Sequence, residues 1–431
     1  MNGYQSRNVS PPFKVVRHVQ REGCEMSGRT SVPSRSTITL SNVNGDLEVG
    51  RHATVKGSSS PPKVTVSGTV HCEGDDIFEC SLFAESLEAK DGVMVHGDLA
   101  IRDEVEVEDG SLEVKGNMTA TKADVDYALC VNKNLTVEEV EVGGSLTVDG
   151  NVKAEDADIG GTFEAQGEVV ADRIEAGGSL RLRSKSDIRS LEVGGTARVA
   201  GGRIREIDVG GTFESMSPLE FEKIDVGGTV RLVGKSKGGV IDVGGSFRVE
   251  GDLEFEEIDV GGTVDIAGLT QGGHMEVGGR VDILGSLKLS GRLEVGGRVN
   301  ASEEIAAKDI EIGGTVRARR IAAEERVEVG GSIITDEGVT ARIVEIGRRG
   351  EVRGPMRADK IIVDRDAHVE NVYGKEILLR TGASANNLYG QKITIESHCD
   401  VSGDVQYTDE LRVGEKALLS KQPQKVDKLP F

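Results

Sequence analysis

Between about residues 140 and 350 the chain alternates apolar and polar residues in short bursts, and the bursts recur at a fixed interval. In "EIDVGGTVDIAG", residues 257–268, Ile258 and Val260 lead into a double glycine, and Val264 and Ile266 lead out of it. The first glycines of these corners are Gly143, Gly160, Gly177, Gly194, Gly210, Gly227, Gly244, Gly261, Gly278, Gly296, Gly313, Gly330 and Gly347, spaced by 17 except for one step of 16 and one of 18. An apolar residue at every second position is the signature of a strand with one buried face. A third apolar pair, such as Leu253 and Phe255, completes each unit. Strands this short bury nothing alone, so each must pair with its equivalent one unit later. The expectation is an all-β, single-stranded parallel β-helix: a solenoid of triangular section with about 17 residues per turn and, counted from Gly50 to Gly414, about 22 turns. Spacing by two, a glycine pair in every unit and many β-branched residues all disfavour a helix.

At the corner, glycine is expected both for positive φ and for close approach of stacked backbones. Thr or Ser often follows it, as at Thr229, Ser246 and Thr263, where a hydroxyl can reach its equivalent one turn away. A second-order repeat of 34 overlies the first, with residues 219–251 matching 253–285 at 18 of 33 positions. Near both ends, "VGRHATVKG" from Val49 and "VDRDAHVENV" from Val363 carry V-x-x-x-A-x-V corners, one residue longer than the glycine type. Residues 70–135 are irregular, and their register is not assigned. The boundaries follow: a flexible basic N-terminal tail over 1–35, a rod over 36–418 that is most regular over 140–350, and a short C-terminal tail over 419–431.

Composition narrows the chemistry. Aromatic residues make up 3% with no Trp, which suits a thin core of Val, Ile, Leu and Ala. The net charge of −21 argues against nucleic acid as a partner. Two residues before each corner glycine stands an acid: Glu141, Asp158, Glu175, Glu192, Asp208, Asp225, Asp242, Asp259, Glu276, Glu294, Glu311, Glu328 and Glu345. Alternation points them outward, and stacking sets neighbours about 5 Å apart, where repulsion is roughly 1 kcal/mol per pair even in water. The row reads first as a solvated face that blocks sideways aggregation, and second as a stripe for basic partners or divalent cations.

Five cysteines without a CxxC pair (Cys24, Cys72, Cys80, Cys130, Cys399) read as reduced thiols, and seven scattered histidines show no metal-ligand spacing. No G-x-x-x-x-G-K-[ST] loop or recurring nucleophile–base pair is present, so neither catalytic residues, cofactor nor metal are expected. With no apolar run of about 18 residues and no secretory leader, the expected address is cytoplasmic. Phe13, Val15, Val16 and Val19, set among Lys14, Arg17 and His18, are the candidate membrane contact.

The array of 17-residue apolar and glycine turns, the "VGRHATVKG"-like units near both ends and the Pro-containing tails resemble the bactofilins, polymer-forming cytoskeletal proteins. That resemblance covers residues 36–418. It implies a right-handed β-helix, nucleotide-independent assembly end to end with itself, and membrane attachment through the N-terminal tail. The residues add a reason of their own: neither end offers a capping helix, so the last strands of a solenoid would be left without partners. The rival readings are a hexapeptide-repeat acyltransferase with a left-handed β-helix, which wants 18 residues per turn, and a surface-displayed adhesin.

Overall fold

The structure is a computed structural model, and it describes residues 28–430. The fold is an all-β parallel β-solenoid of about 23 turns at roughly 17 residues per turn, without helices among the described residues. The chain divides after Ile174 into two compact units.

In the first unit, the inward column runs Leu47, Val70, Leu87, Val105, Ala123, Val140, Ala157, each residue level with the next across parallel strands. All seven are buried. The steps of this column explain why residues 70–135 are illegible as a repeat. It advances by 23 residues, then 17, 18, 18, 17 and 17. The long step accommodates the loop between Thr54–Gly57 and Lys63–Val66.

In the second unit, the matching column of Leu191, Ile207, Ile224, Ile241, Ile258, Met275, Leu293, Ile310, Val327 and Val344 is buried throughout. Over much of this unit three short strands make a turn, but two of them run together in Ser186–Val193, Gly202–Val209, Glu304–Ile312, Arg320–Val329 and Gly338–Ile346. Beyond residue 350 the strands fuse into Glu351–Val363, His368–Leu379 and Ser384–Ile395, which pair along almost their whole length.

The double-glycine corners correct one expectation and bear out another. None of these glycines has φ in the left-handed range. Their requirement is space: a Cβ on Gly261 would lie 2.7 Å from the Gly244 carbonyl oxygen one turn back, and a Cβ on Gly262 only 2.2 Å from that of Gly245. Positive φ occurs instead at other corners, among them Arg35, His52, Asp75 and Asp109 in the first unit and Arg349, Asp366, Gly382, His398 and Lys416 in the second. One expected hydroxyl bridge is present, Thr229 Oγ1 to Ser246 Oγ at 3.2 Å.

The 34-residue repeat has a packing cause. Phe221 lies beneath Gly238, and Phe255 beneath Gly272; a Cβ on either glycine would fall 2.0 and 2.4 Å from the respective ring. Each bulky turn therefore needs an empty one above it, and the true unit is a pair. A second column alternates in the same way, Phe213, Val230, Phe247, Val264.

The boundaries also move outward from those expected. Thr30–Val32 is already a strand, level with Leu47–Val49, and Val32 is buried. At the other end Leu418–Leu419 and Gln424–Lys425 pair with Asp400–Val401 and Gln406–Tyr407. Residues 30–35 and 419–425 are thus part of the solenoid, because exposed strand edges beside them supply backbone partners that a tail would lack.

Candidate functional site

The acidic residues fall where alternation places them, outward and level with one another. In the second unit the row runs Glu192, Asp208, Asp225, Asp242, Asp259, Glu276, Glu294, Glu311, Glu328, Glu345 across consecutive strands. Glu175 lies in the strand Val169–Ala176. In the first unit Glu141 and Asp158 continue a row that the glycine spacing misses, made of Glu48, His71, Glu88, Glu106 and Asp124. The missed signal was alternation itself, with an acid between two inward residues, as in Leu87-Glu88-Ala89 and Val105-Glu106-Val107.

Crowding shows in the chemistry. Partial burial, then the neighbouring carboxylates Asp225 and Asp259, push the Asp242 carboxyl above its ordinary value. Partial burial, then Glu108, Glu104, Glu88 and Asp124, do the same to Glu106. Bases relieve the row in places: Lys223 meets Asp225 at 3.2 Å, Arg292 meets Glu294 at 2.8 Å and Glu311 at 2.5 Å, and His71 meets Glu88 at 2.8 Å. Asp208, Asp242, Asp259 and Glu276 have no basic partner within 4.0 Å among the described residues. No group of three or more His, Cys, Asp or Glu is arranged to hold a metal ion among the described residues.

After Glu345 the row changes character, continuing as Ile362, Leu378, Thr394 and Arg412. Beside it runs a row of alternating sign, Lys360, Glu376, Lys392, Glu410. Tyr373 and Tyr389 stack with ring centroids 5.0 Å apart, and the Arg357 guanidinium sits 5.0 Å from the Tyr373 centroid.

A further ladder was not foreseen. Asp98 Oδ1 accepts the backbone N–H of Asn117 at 2.8 Å and its Nδ2 at 3.0 Å; Asn117 Oδ1 accepts the Asn134 N–H at 3.3 Å. Asn134 and Asn151 then accept from Asn151 and Glu168, each at 2.9 Å. This ladder satisfies corner N–H groups that strand pairing does not reach. Its trace in the sequence is the recurrent Gly-Asn or Gly-Asp of residues 97–98, 116–117 and 150–151.

One ionisable group is interior. Asp76, 1% exposed, accepts from the Ala53 N–H at 2.8 Å and the Gly74 N–H at 3.1 Å. Burial outweighs those bonds and raises its carboxyl to about 6. Cys72, Cys80 and Cys399 are buried and unpaired, and Cys130 is half-buried and unpaired. Phe13, Val15, Val16, Val19 and Cys24 lie outside the described residues, so the membrane reading has no structural counterpart here.

The two termini of the fold complete the picture. Thr30–Val32, Thr37–Leu40 and Asn42–Val43 each have a strand on one edge only among the described residues. At the C-terminal end, residues 409–413 of the strand Val405–Val413 lack a neighbour on their outer edge among the described residues, and Val413 and Leu418 are 45% and 67% exposed. Comparison with protein-family models, curated proteins and solved structures returns no match.

Proposed function

We propose that this chain is a structural, non-enzymatic protein that associates with further copies of itself end to end, forming filaments or scaffolds without a nucleotide. On this reading it is a bactofilin-like protein of the cytoplasm, right-handed and triangular in section, with its N-terminal segment available for a membrane surface or a partner. The observation that carries it is the state of the terminal layers: strand edges and part of the apolar core stand open, with no helix over them among the described residues. Such edges are most simply satisfied by another strand layer of the same kind. The acidic rows support the same reading, since like charges along the sides discourage lateral pairing while leaving the ends free.

The test is negative-stain electron microscopy of the purified full chain without nucleotide, over a range of concentrations. Filaments whose length grows with concentration are the expected result. A monodisperse monomer at every concentration would overturn the proposal.

A further inference from the structure

The positive-φ corners pass their backbone hydrogen bonds along in one direction. At Arg35, His52, Arg349, Asp366, Gly382 and His398 the N–H of the positive-φ residue donates to the carbonyl just before the positive-φ residue of the following turn, whereas Asp75 and Asp109 stand outside this relay, the Asp109 N–H going to Asp126 Oδ2 at 2.8 Å. Arg35 donates to Arg51 at 3.0 Å and His52 to Gly74 at 2.9 Å. In the second unit Arg349 donates to Arg365 at 2.9 Å, Gly382 to Ser397 at 3.2 Å and His398 to Glu415 at 3.3 Å. The relay stops at Lys416, φ 59°, whose N–H has no backbone acceptor among the described residues. Among the described residues the Ser34 carbonyl, directly before Arg35, receives no such bond, nor does the Arg348 carbonyl before Arg349, so each relay begins on an unfilled carbonyl. Corners with a non-glycine residue at positive φ fall between Arg35 and Asp109 in the first unit and between Arg349 and Lys416 in the second.

The order of the strands agrees. The first turn opens with Thr30–Val32, passes the Arg35 corner into Thr37–Leu40, and closes with Asn42–Val43. The last turn places residues 410–413 before the Lys416 corner, then Leu418–Leu419, then Gln424–Lys425. The last described strand is therefore of the type after which another opening strand is due. Charge agrees as well. With Val413 level with Val32 of a second copy, the alternating row Lys360, Glu376, Lys392, Glu410 is continued by Arg29, a positive group where the next positive group belongs. Leu411 and Val413 then meet Thr30 and Val32, covering the open slice of core. One contact opposes this, since Lys416 falls beside Arg35, but both reach into solvent where screening is strong.

We infer that the C-terminal layer of one copy receives the N-terminal layer of a second copy head to tail, as a parallel strand addition in the register Val413 on Val32. The inference rests on the self-association reading and adds polarity to it: every joint is the same, and the assembly has two different ends.

Cysteine cross-linking of the full chain tests it, in a background with Cys24 and Cys130 replaced by Ser. Ser31 and Arg412 both point outward and become level across the joint. Neighbouring parallel strands lie about 4.8 Å apart, within the Cα separation a disulfide spans. Under mild oxidant, Ser31→Cys alone and Arg412→Cys alone should stay monomeric on a non-reducing gel. A mixture of the two should give dimers, and the doubly substituted chain a ladder of multimers. Dimers from either single variant, or no cross-link in the mixture although microscopy shows filaments, would overturn the polarity and leave self-association standing. Absence of both filaments and cross-links would remove both. A charge swap reads the same joint: Arg29→Glu and Glu410→Arg should each raise the critical concentration severalfold, and their combination in one chain should restore it. Failure of that rescue counts against the register.

Discussion

Adding a single methyl group at Gly238 probes the pairing of turns directly. Its Cβ would fall 2.0 Å from Cε2 of Phe221 and 2.3 Å from Cδ2 and Cζ, against 3.4–4 Å for ordinary contact. The ring must therefore retreat by more than 1 Å. It has little room, being 6% exposed and walled by the turns on either side. Overpacking of this kind costs about 1–3 kcal/mol. Removing the ring by Phe221→Ala costs about 3–5 kcal/mol on its own through lost burial and a cavity. In that background Gly238→Ala should cost nothing, and should even return about 0.5–1 kcal/mol because alanine loses less backbone freedom than glycine. The two changes are thus expected to couple by about 2–3 kcal/mol. Because a solenoid unfolds by neighbouring repeats rather than all at once, the measurement is amide hydrogen exchange over residues 219–240. If Gly238→Ala is equally costly in both backgrounds, within about 0.5 kcal/mol, the pairing of a bulky turn with an empty one is not the cause of the 34-residue repeat.

Three further outcomes are expected. Thr270 is fully buried and its Oγ1 has no hydrogen-bond partner among the described residues, so Thr270→Val should raise local stability by about 1 kcal/mol, read by exchange across Thr270–Gly272; a loss instead would mean the hydroxyl is satisfied. The Asp76 carboxyl is raised by burial to about 6 in the folded chain against an ordinary 3.8; its raised value means that folding favours the protonated form, so its contribution is lost as pH rises from about 4 to about 6, on the order of 3 kcal/mol. Urea midpoints should fall across that window in the natural chain and change less in Asp76→Asn, and equal slopes would dismiss Asp76 as the source. Asp242→Asn should stabilise the middle turns by a few tenths of a kcal/mol at low salt, with the gain fading by 0.5 M NaCl; a gain that ignores salt would mean that burial rather than repulsion sets the Asp242 carboxyl.

The fold was legible because one number, 17, is written into the sequence in two independent ways: the alternation around Ile258 and Val264, and the glycine column beneath them. What was hidden had physical reasons. The register before Asp126 was masked by the loop after Gly57 and by two steps of 18, which leave the pairing intact but break the count. The acids Glu88, Glu106 and Asp124 were missed with it. The 34-residue repeat was visible as letters, but its cause required seeing which side chain lies under which glycine. Glycine itself misled halfway. At Gly261 the need is for an absent Cβ, while positive φ is carried by Asp75, Asp366, His52 and His398, of types that enter that region more readily, and by Arg349 and Lys416, whose identity gives no warning of it.

The acidic rows set a further balance. Ten consecutive carboxylates in the second unit repel at roughly 1 kcal/mol per neighbouring pair in water, and only some meet a base, so the row as a whole opposes folding. The turns tolerate it because every strand residue gains backbone bonds to the layers above and below, and because each acid is flanked by two residues whose burial is worth about 1.5–3 kcal/mol apiece. Ile258 and Val260 flank Asp259 in this way, and both are completely buried. The surplus shrinks at the last turn, where Val413 is 45% exposed and residues 409–413 have one neighbour instead of two. In the turns leading to it the acids give way, in the same row, to Ile362, Leu378, Thr394 and finally Arg412. A layer with half the usual backbone bonds has little margin for lateral repulsion. The change of residue type toward that end therefore follows from the same arithmetic that permits the acids in the middle, and it leaves Arg412 instead of a carboxylate as this row's member in the terminal layer.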